Sequence, residues 1–329
     1  MKRPVVYFPS ITTFIATFPQ RQDLIETYED HWTDPENIVT NGPFVLAEWI
    51  HEYKLVLKAN VNFYKGKPPL NRVVFYIIEE ANTALTLYET GGLDITTLPP
   101  VAISSYQDHP QYIQRNQMTS NYYGFNTKKP PFDNPLVRRA FSYAVNRSNI
   151  PDILRGGQLP SGSWIPKGMF GFNPTIGSNF DPYKAQQLLF KAGYPDGNGL
   201  PKITAIYNTN QNNQLIAEFL QAQWKKNLNV FVELYSLEWK VFLNQLKTDP
   251  PQLYRGSWVA DFPDPDNFMN LFTSSSGNNR SHWKNPQYDS MVAQGAIEQD
   301  LKKRQLIYDK AQQILTEIET PIIPLFVST

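Results

Sequence analysis

The chain has 329 residues, no cysteine and 4 histidines, and its 30 Lys and Arg balance 30 Asp and Glu to a formal charge of zero. That balance argues against nucleic acid as the main partner, because phosphates are held by a basic excess and no run of Lys and Arg supplies one. Without cysteine there is no disulfide, thiolate metal site or cysteine nucleophile, and the length fits about two domains.

Charged residues make up 18% of the chain, below the roughly 25% usual for soluble domains, while aromatics reach 14%. Such a chain folds, and it has many flat, polar-tipped rings to line a site. No stretch approaches the about 18 consecutive apolar residues of a membrane span. The opening Met1-Lys2-Arg3-Pro4 has a basic pair but no small-residue cleavage site follows, so no secretory signal is visible.

In chain order, Lys54 to Lys58 and Arg72 to Ile78 have the β-branched and aromatic content of strands. Glu79-Glu80 reads as a strand end leaving for water. Asn82 is placed to cap a helix over Ala84, Leu85 and Tyr88 that stops at Gly91-Gly92. Asn134-Pro135 announces a second helix, with Val137, Ala140, Phe141, Ala144 and Val145 on its apolar face. Asp181-Pro182 repeats the device for a helix that buries Ala185, Leu188, Leu189 and Ala192 and ends at Gly193.

A strand at Lys202 to Tyr207 precedes a helix with Leu215, Ile216, Phe219, Leu220, Gln223 and Trp224 on one side and Lys225-Lys226 at its C-terminal dipole. The strand Val230 to Tyr235 follows. Strand, helix, strand in succession implies parallel neighbours joined by a right-handed crossover, so an open α/β sheet is expected from about Thr119 onward. A last long helix, roughly Leu301 to Ile318, presents Ile307, Ala311, Ile314, Leu315 and Ile318 on one face, and an apolar strand runs from Pro321 to Val327. No repeat is apparent.

The chemistry is sparse. His31, His51, His109 and His282 stand apart, and no metalloprotease, phosphate-loop, dinucleotide or nucleophile-elbow pattern occurs. No cofactor and no metal are expected. Asp261-Phe262-Pro263-Asp264-Pro265-Asp266 lacks the spacing and glycine of an EF-hand loop and reads as a solvated proline turn. Just before it, Arg255-Gly256-Ser257-Trp258-Val259-Ala260-Asp261 mixes a guanidinium, an indole and a carboxylate. At strand period Arg255, Ser257, Val259 and Asp261 share one face and Trp258 takes the other. The spacing alone leaves open whether Trp258 is core and Asp261 a turn starter, or whether both serve a site.

Several segments together resemble the oligopeptide and dipeptide solute-binding proteins of ABC transporters, family 5. They are Asn37 to Phe44 with Trp49, Tyr122-Tyr123-Gly124-Phe125-Asn126-Thr127 running into Pro130-Pro131-Phe132, Pro135 to Arg147, Trp258 to Asp261, and Pro321 to Phe326. The resemblance spans essentially the whole chain. It implies an α/β, two-lobed, type II periplasmic-binding-protein-like fold, with lobes of mixed sheet flanked by helices around a ligand cleft. Relatives open with a signal peptide and an inserted domain before the matched part begins. The chain is therefore expected to be a fragment, with partial lobe I at 1–118, a crossing near Thr119 to Tyr123, and lobe III at 119–329, whose final strand at about 321–327 leads back towards lobe I.

By the same resemblance Asp261 pairs with the α-ammonium of a bound peptide, and Trp258 and Trp239 line side-chain pockets. Arg255 meets a peptide carboxylate, Asn208 lies at a cleft strand end, and Tyr122 falls near the lobe crossing. Asn213 and Leu246 replace basic residues of oligopeptide-type relatives, and Pro151 implies a local helix break. The resemblance implies a monomeric, non-catalytic receptor, periplasmic or extracytoplasmic and membrane-associated in the full-length protein, that delivers short peptides to a membrane ABC permease. A cello-oligosaccharide or nickel-complex binder on the same fold remains an alternative. So does a carboxylate-based hydrolase, which lacks a recognisable base and nucleophile pair.

Overall fold

The computed structural model describes residues 4–329; the basic pair Lys2-Arg3 lies outside them. The chain divides into two compact units, Phe18–Tyr106 and Gln107–Thr329, the second including the described part of Met1–Thr17. The expected boundary at 118/119 falls inside the larger unit, where Gln117 N–H donates to the Ser328 carbonyl.

The first helix, α1 (Phe8–Ile11), belongs to the larger unit. The smaller unit follows with α2 (Gln22–Tyr28), an antiparallel meander of β1 (Phe44–Ile50), β2 (Lys54–Ala59) and β3 (Arg72–Tyr76), then α3 (Ala81–Glu89) and α4 (Pro100–Tyr106). Asn82 does not cap α3: Glu80 holds the cap position without a side-chain bond, and Asn82 lies inside the first turn. The end is as expected, with Gly91 left-handed at φ 79°. Val56 and Leu85 are the buried apolar side chains described for this unit.

In the larger unit, β4 (Thr119–Phe125) leads to α5 (Pro135–Tyr143), α6 (Ile150–Leu154) and the short β5 (Leu159–Pro160). Asn134 caps α5 by accepting from Leu136 N–H. Pro151 sits in the first turn of α6, where it interrupts no helical hydrogen bond. Asp181 caps α7 (Pro182–Lys191) through Lys184 N–H, and Gly193 at φ 92° ends it.

Then come β6 (Ile203–Asn208), α8 (Gln211–Leu228), β7 (Val232–Leu237), α9 (Trp239–Thr248), β8 (Leu253–Val259) and α10 (Asp266–Met269). The chain closes with α11 (Pro286–Ile297), α12 (Leu301–Gln313) and β9 (Ile322–Val327).

Six strands form one sheet in the order β5-β9-β4-β8-β6-β7. The β6-α8-β7 unit is parallel as its sequence order requires, and β8 is also parallel to β6. From β4 outward the pairs are antiparallel, so the sheet as a whole is mixed, as the resemblance implies, and only its strand-helix-strand part is parallel. The reason is that β4, β8 and β9 are brought together from far apart in sequence, beyond what local succession specifies.

Helices cover both faces. Tyr123, Phe125, Ala205, Leu253 and Leu325 pack on one side with α5, α7 and α8, including the fully buried Trp224. Tyr122, Ile206, Tyr254 and Ile322 pack on the other with Phe242 of α9, Phe268 of α10 and Tyr308 of α12. Being buried on both faces, β4 shows no in-out alternation in burial. After Gln313 the last helix loosens into a π-helical turn, Ile314–Ile318, which rotates the apolar face and leaves Ile318 54% exposed instead of buried.

Candidate ligand-binding site

The carboxyl ends of β6, β7 and β8 lie along one edge of the larger sheet, because the three strands are parallel. The connection leaving β6 enters α8 on one face, while that leaving β8 enters α10 on the other. Adjacent parallel strands whose exits part in this way leave a crevice between them, the usual ligand position in open α/β sheets. Backbone pairing of β6 with β8 covers only Ala205 with Leu253 and Ile206 with Tyr254.

Arg255 occupies the place where that pairing stops. Its Nη1 donates to Asn208 Oδ1 at 3.4 Å and its Nη2 to Asn121 Oδ1 at 3.2 Å. Burial pulls the guanidinium below its ordinary value, opposed by the nearby Tyr123 and Tyr122. None of the described ion pairs involves Arg255. A cation served by neutral amides alone in a largely desolvated position favours an anionic visitor. Asn213 Nδ2 donates to Asn208 O and Oδ1, at 3.1 Å each, so the residue that departs from a basic one holds Asn208 in place. Leu246 packs on the second core cluster.

Past the end of β8 the remaining groups gather around Asn267. Its Oδ1 accepts from Trp258 Nε1 at 2.8 Å and from Asp261 N–H at 3.2 Å, and its Nδ2 donates to Asp261 Oδ2 at 3.4 Å. Trp258 is half-buried against the second core, and Asp261 is exposed and lies beyond the strand, so strand parity does not govern its direction.

The proline turn itself is not the solvated loop that its composition implies. Asp264 receives Arg304 Nη1 and Nη2 at 2.9 and 2.8 Å, and Asp266 is buried beneath Tyr7, whose hydroxyl donates to it. Burial, ahead of the neighbouring Asp264, pushes the Asp266 carboxyl up to about 6, and the Tyr7 hydrogen bond and Arg304 pull the other way. These acids are buried because Arg304 and Tyr7 reach them from distant parts of the chain, which no local pattern announces.

Trp239 opens α9 at the carboxyl end of β7, 51% exposed and stacked on Phe242. Tyr122 is different: it is 6% exposed, its ring sits in the second core against Trp164 and Phe272, and burial pushes its hydroxyl up to about 12. The structure thus joins Arg255 to Asn208, and Trp258 to Asp261. It puts Trp239 on the same edge and Tyr122 inside the sheet packing.

Two residues of the site, Asn121 and Asn267, were not singled out by the sequence. Asn121 shares a strand face with Tyr123, opposite Arg255, but only the β4–β8 register reveals it. Among the described residues no group of three or more His, Cys, Asp or Glu side chains is placed to hold a metal.

Comparison with known proteins identifies the family. Residues 1–280 match the model of the bacterial extracellular solute-binding proteins, family 5 Middle. The chain is 34% identical, over 99% of its length, to the periplasmic murein peptide-binding protein MppA of Escherichia coli. It is 31% identical over the same share to that organism's probable deoxycholate-binding periplasmic protein YgiS. It spans 62% of the length of each of these relatives. The solved structure of the Escherichia coli murein tripeptide binding protein superposes with a TM-score of 0.86 at 33% identity, covering 100% of this chain and 66% of that one. The mixed α/β architecture with helix-flanked sheets is that of a periplasmic binding protein, and the chain belongs to the bacterial extracellular solute-binding proteins of family 5.

Proposed function

We propose that this chain is the greater part of an extracytoplasmic receptor that captures short peptides and delivers them to a membrane ABC permease. The observation that carries the reading is on one strand and its exit. Arg255 and Asp261 present opposite charges at the carboxyl edge of the sheet, and neither has an ion-pair partner among the described residues. A zwitterion answers both. Six residues of extended chain span at most about 20 Å, a length that a peptide of a few residues matches.

In this reading Asp261 takes the ligand ammonium, Arg255 with Asn208 takes a carboxylate, and Trp258 and Trp239 border side-chain space. Tyr122 supports β4 from within the core. Backbone groups of an extended ligand are satisfied by strand-like pairing, and hydrated pockets accept varied side chains. The protein acts outside the cytoplasm as a monomer, membrane-associated in its full-length form, and performs no chemistry on its ligand. The relatives are named for peptides and for deoxycholate, and the charge pair favours the peptide.

The test is equilibrium binding of a mixed short-peptide pool, a cello-oligosaccharide and a nickel chelate, with mass spectrometry of the recovered ligand. Peptides bound and recovered intact support the proposal. Cleaved peptides would make it an enzyme, and binding of the sugar or nickel complex in their place would reassign its ligand.

A further inference from the structure

Among the described residues Asn267 makes three side-chain polar contacts, and all of them go to the two groups that the proposed site needs. Its Oδ1 receives Trp258 Nε1 and the Asp261 backbone N–H, which fixes the orientation of the amide and leaves Nδ2 facing Asp261 Oδ2. The backbone of Asn267 is itself held, because its N–H donates to the Asp264 carbonyl at 3.1 Å, and Asp264 is clamped by Arg304. A chain of bonds thus runs from a buried ion pair to an exposed carboxylate.

We infer that Asn267 is a positioning residue for ligand recognition: it occupies one oxygen of Asp261, keeps that carboxylate turned towards the ligand, and locks the Trp258 indole beside it. The inference rests on the reading of Asp261 as the ammonium partner. An amide oxygen fixed by two donors cannot flip towards Asp261, so the amide N–H stays turned to the carboxylate. The residue type matters for the same reason. Aspartate here would keep both acceptor bonds and set a second carboxylate against Asp261, and leucine would remove all three contacts at similar volume.

The experiment is calorimetry with tri-alanine and N-acetyl-tri-alanine on the unaltered chain, Asp261→Asn, Asn267→Leu, and the double variant. Asn267→Leu is expected to weaken tri-alanine about 10- to 100-fold, the range of one hydrogen bond to a charged group, and the acetylated peptide much less, through the freed Trp258 indole alone, so that selectivity falls. The double variant is expected to be no weaker than Asp261→Asn, because residues that act as a unit are not additive. Asn267→Asp, which retains the acceptor bonds and sets a second carboxylate against Asp261, is expected to make tri-alanine affinity depend on pH, as two facing carboxylates share a proton.

Additive losses, equal losses for both peptides, or a flat pH profile in Asn267→Asp would overturn the role of Asn267 while the binding function stands. No selectivity in the unaltered chain, or none lost in Asp261→Asn, would instead remove the function on which the inference rests.

Discussion

Asp264 accepts both terminal guanidinium nitrogens of Arg304, at 2.8 and 2.9 Å, with both side chains almost fully buried. The pair joins α12 to the turn that carries Asp261, so the exposed end of the site stands on a desolvated foundation. Replacing one partner strands the other charge. Arg304→Met is expected to cost about 3 to 5 kcal/mol of unfolding free energy, and Arg304→Met combined with Asp264→Leu much less. Urea unfolding of the two variants checks this, and equal destabilisation by the single and double changes would contradict it.

Asp266 supplies a pH dependence of definite sign. Its folded-state carboxyl is raised from 3.8 to about 6, chiefly by burial, with Tyr7, Asp264, Arg304, Tyr288 and Tyr308 around it. The folded chain therefore holds a proton that the unfolded chain has released. This group's contribution is fully present below pH 4 and is lost as pH rises through about 6, a change of about 3 kcal/mol at one pKa unit per 1.4 kcal/mol. Asp266→Asn is expected to flatten that part of the stability profile. Unfolding midpoints at pH 4.5 and 7.5 give the comparison, and an unchanged difference between them would remove Asp266 as the cause.

Tyr122 and Gly256 are cross-strand partners, and a methyl group on Gly256 would lie 2.2 Å from the Tyr122 ring. The arrangement is reciprocal, since Tyr254 lies over Gly124 in the same way. Gly256→Ala is thus expected to destabilise by about 1 to 3 kcal/mol through overpacking, and Tyr122→Leu in the same chain to recover part of the loss. Thermal unfolding reads both, and a neutral Gly256→Ala would show that the ring has room to move.

Much of the scaffold was legible because its signals are local. Asn134-Pro135 and Asp181-Pro182 cap helices as their residue types require, and the β6-α8-β7 succession is parallel as expected. What local succession could not specify needed distant partners. The mixed sheet depends on β4 meeting β8 and β9, and the buried acids of the proline turn depend on Tyr7 and Arg304. Asn82 missed its cap by two positions, within the usual uncertainty of helix ends. Arg255, Asp261 and Trp258 were read from one short segment, but the amides that hold them, Asn121 and Asn267, become visible only when register and turn are known.

The two units differ in how much apolar surface they bury. Phe18–Tyr106 contains Val56 and Leu85 as buried apolar side chains, whereas the larger unit has two aromatic-rich clusters. Amides of β1, β2 and β3 are expected to exchange faster than those of β4 and β6, since opening free energy follows burial. Hydrogen exchange by mass spectrometry reads this directly, and equal protection would contradict it.

Opposite charges at the carboxyl edge of one sheet are expected to recognise the ends of a peptide. Calorimetry of the unaltered chain with tri-alanine, N-acetyl-tri-alanine and deoxycholate tests this most directly. The account predicts that acetylation costs about 2 to 5 kcal/mol, the scale of a desolvated charge left without its partner, and that deoxycholate does not displace tri-alanine. Equal affinity for the free and acetylated peptides, or displacement by deoxycholate, would contradict it.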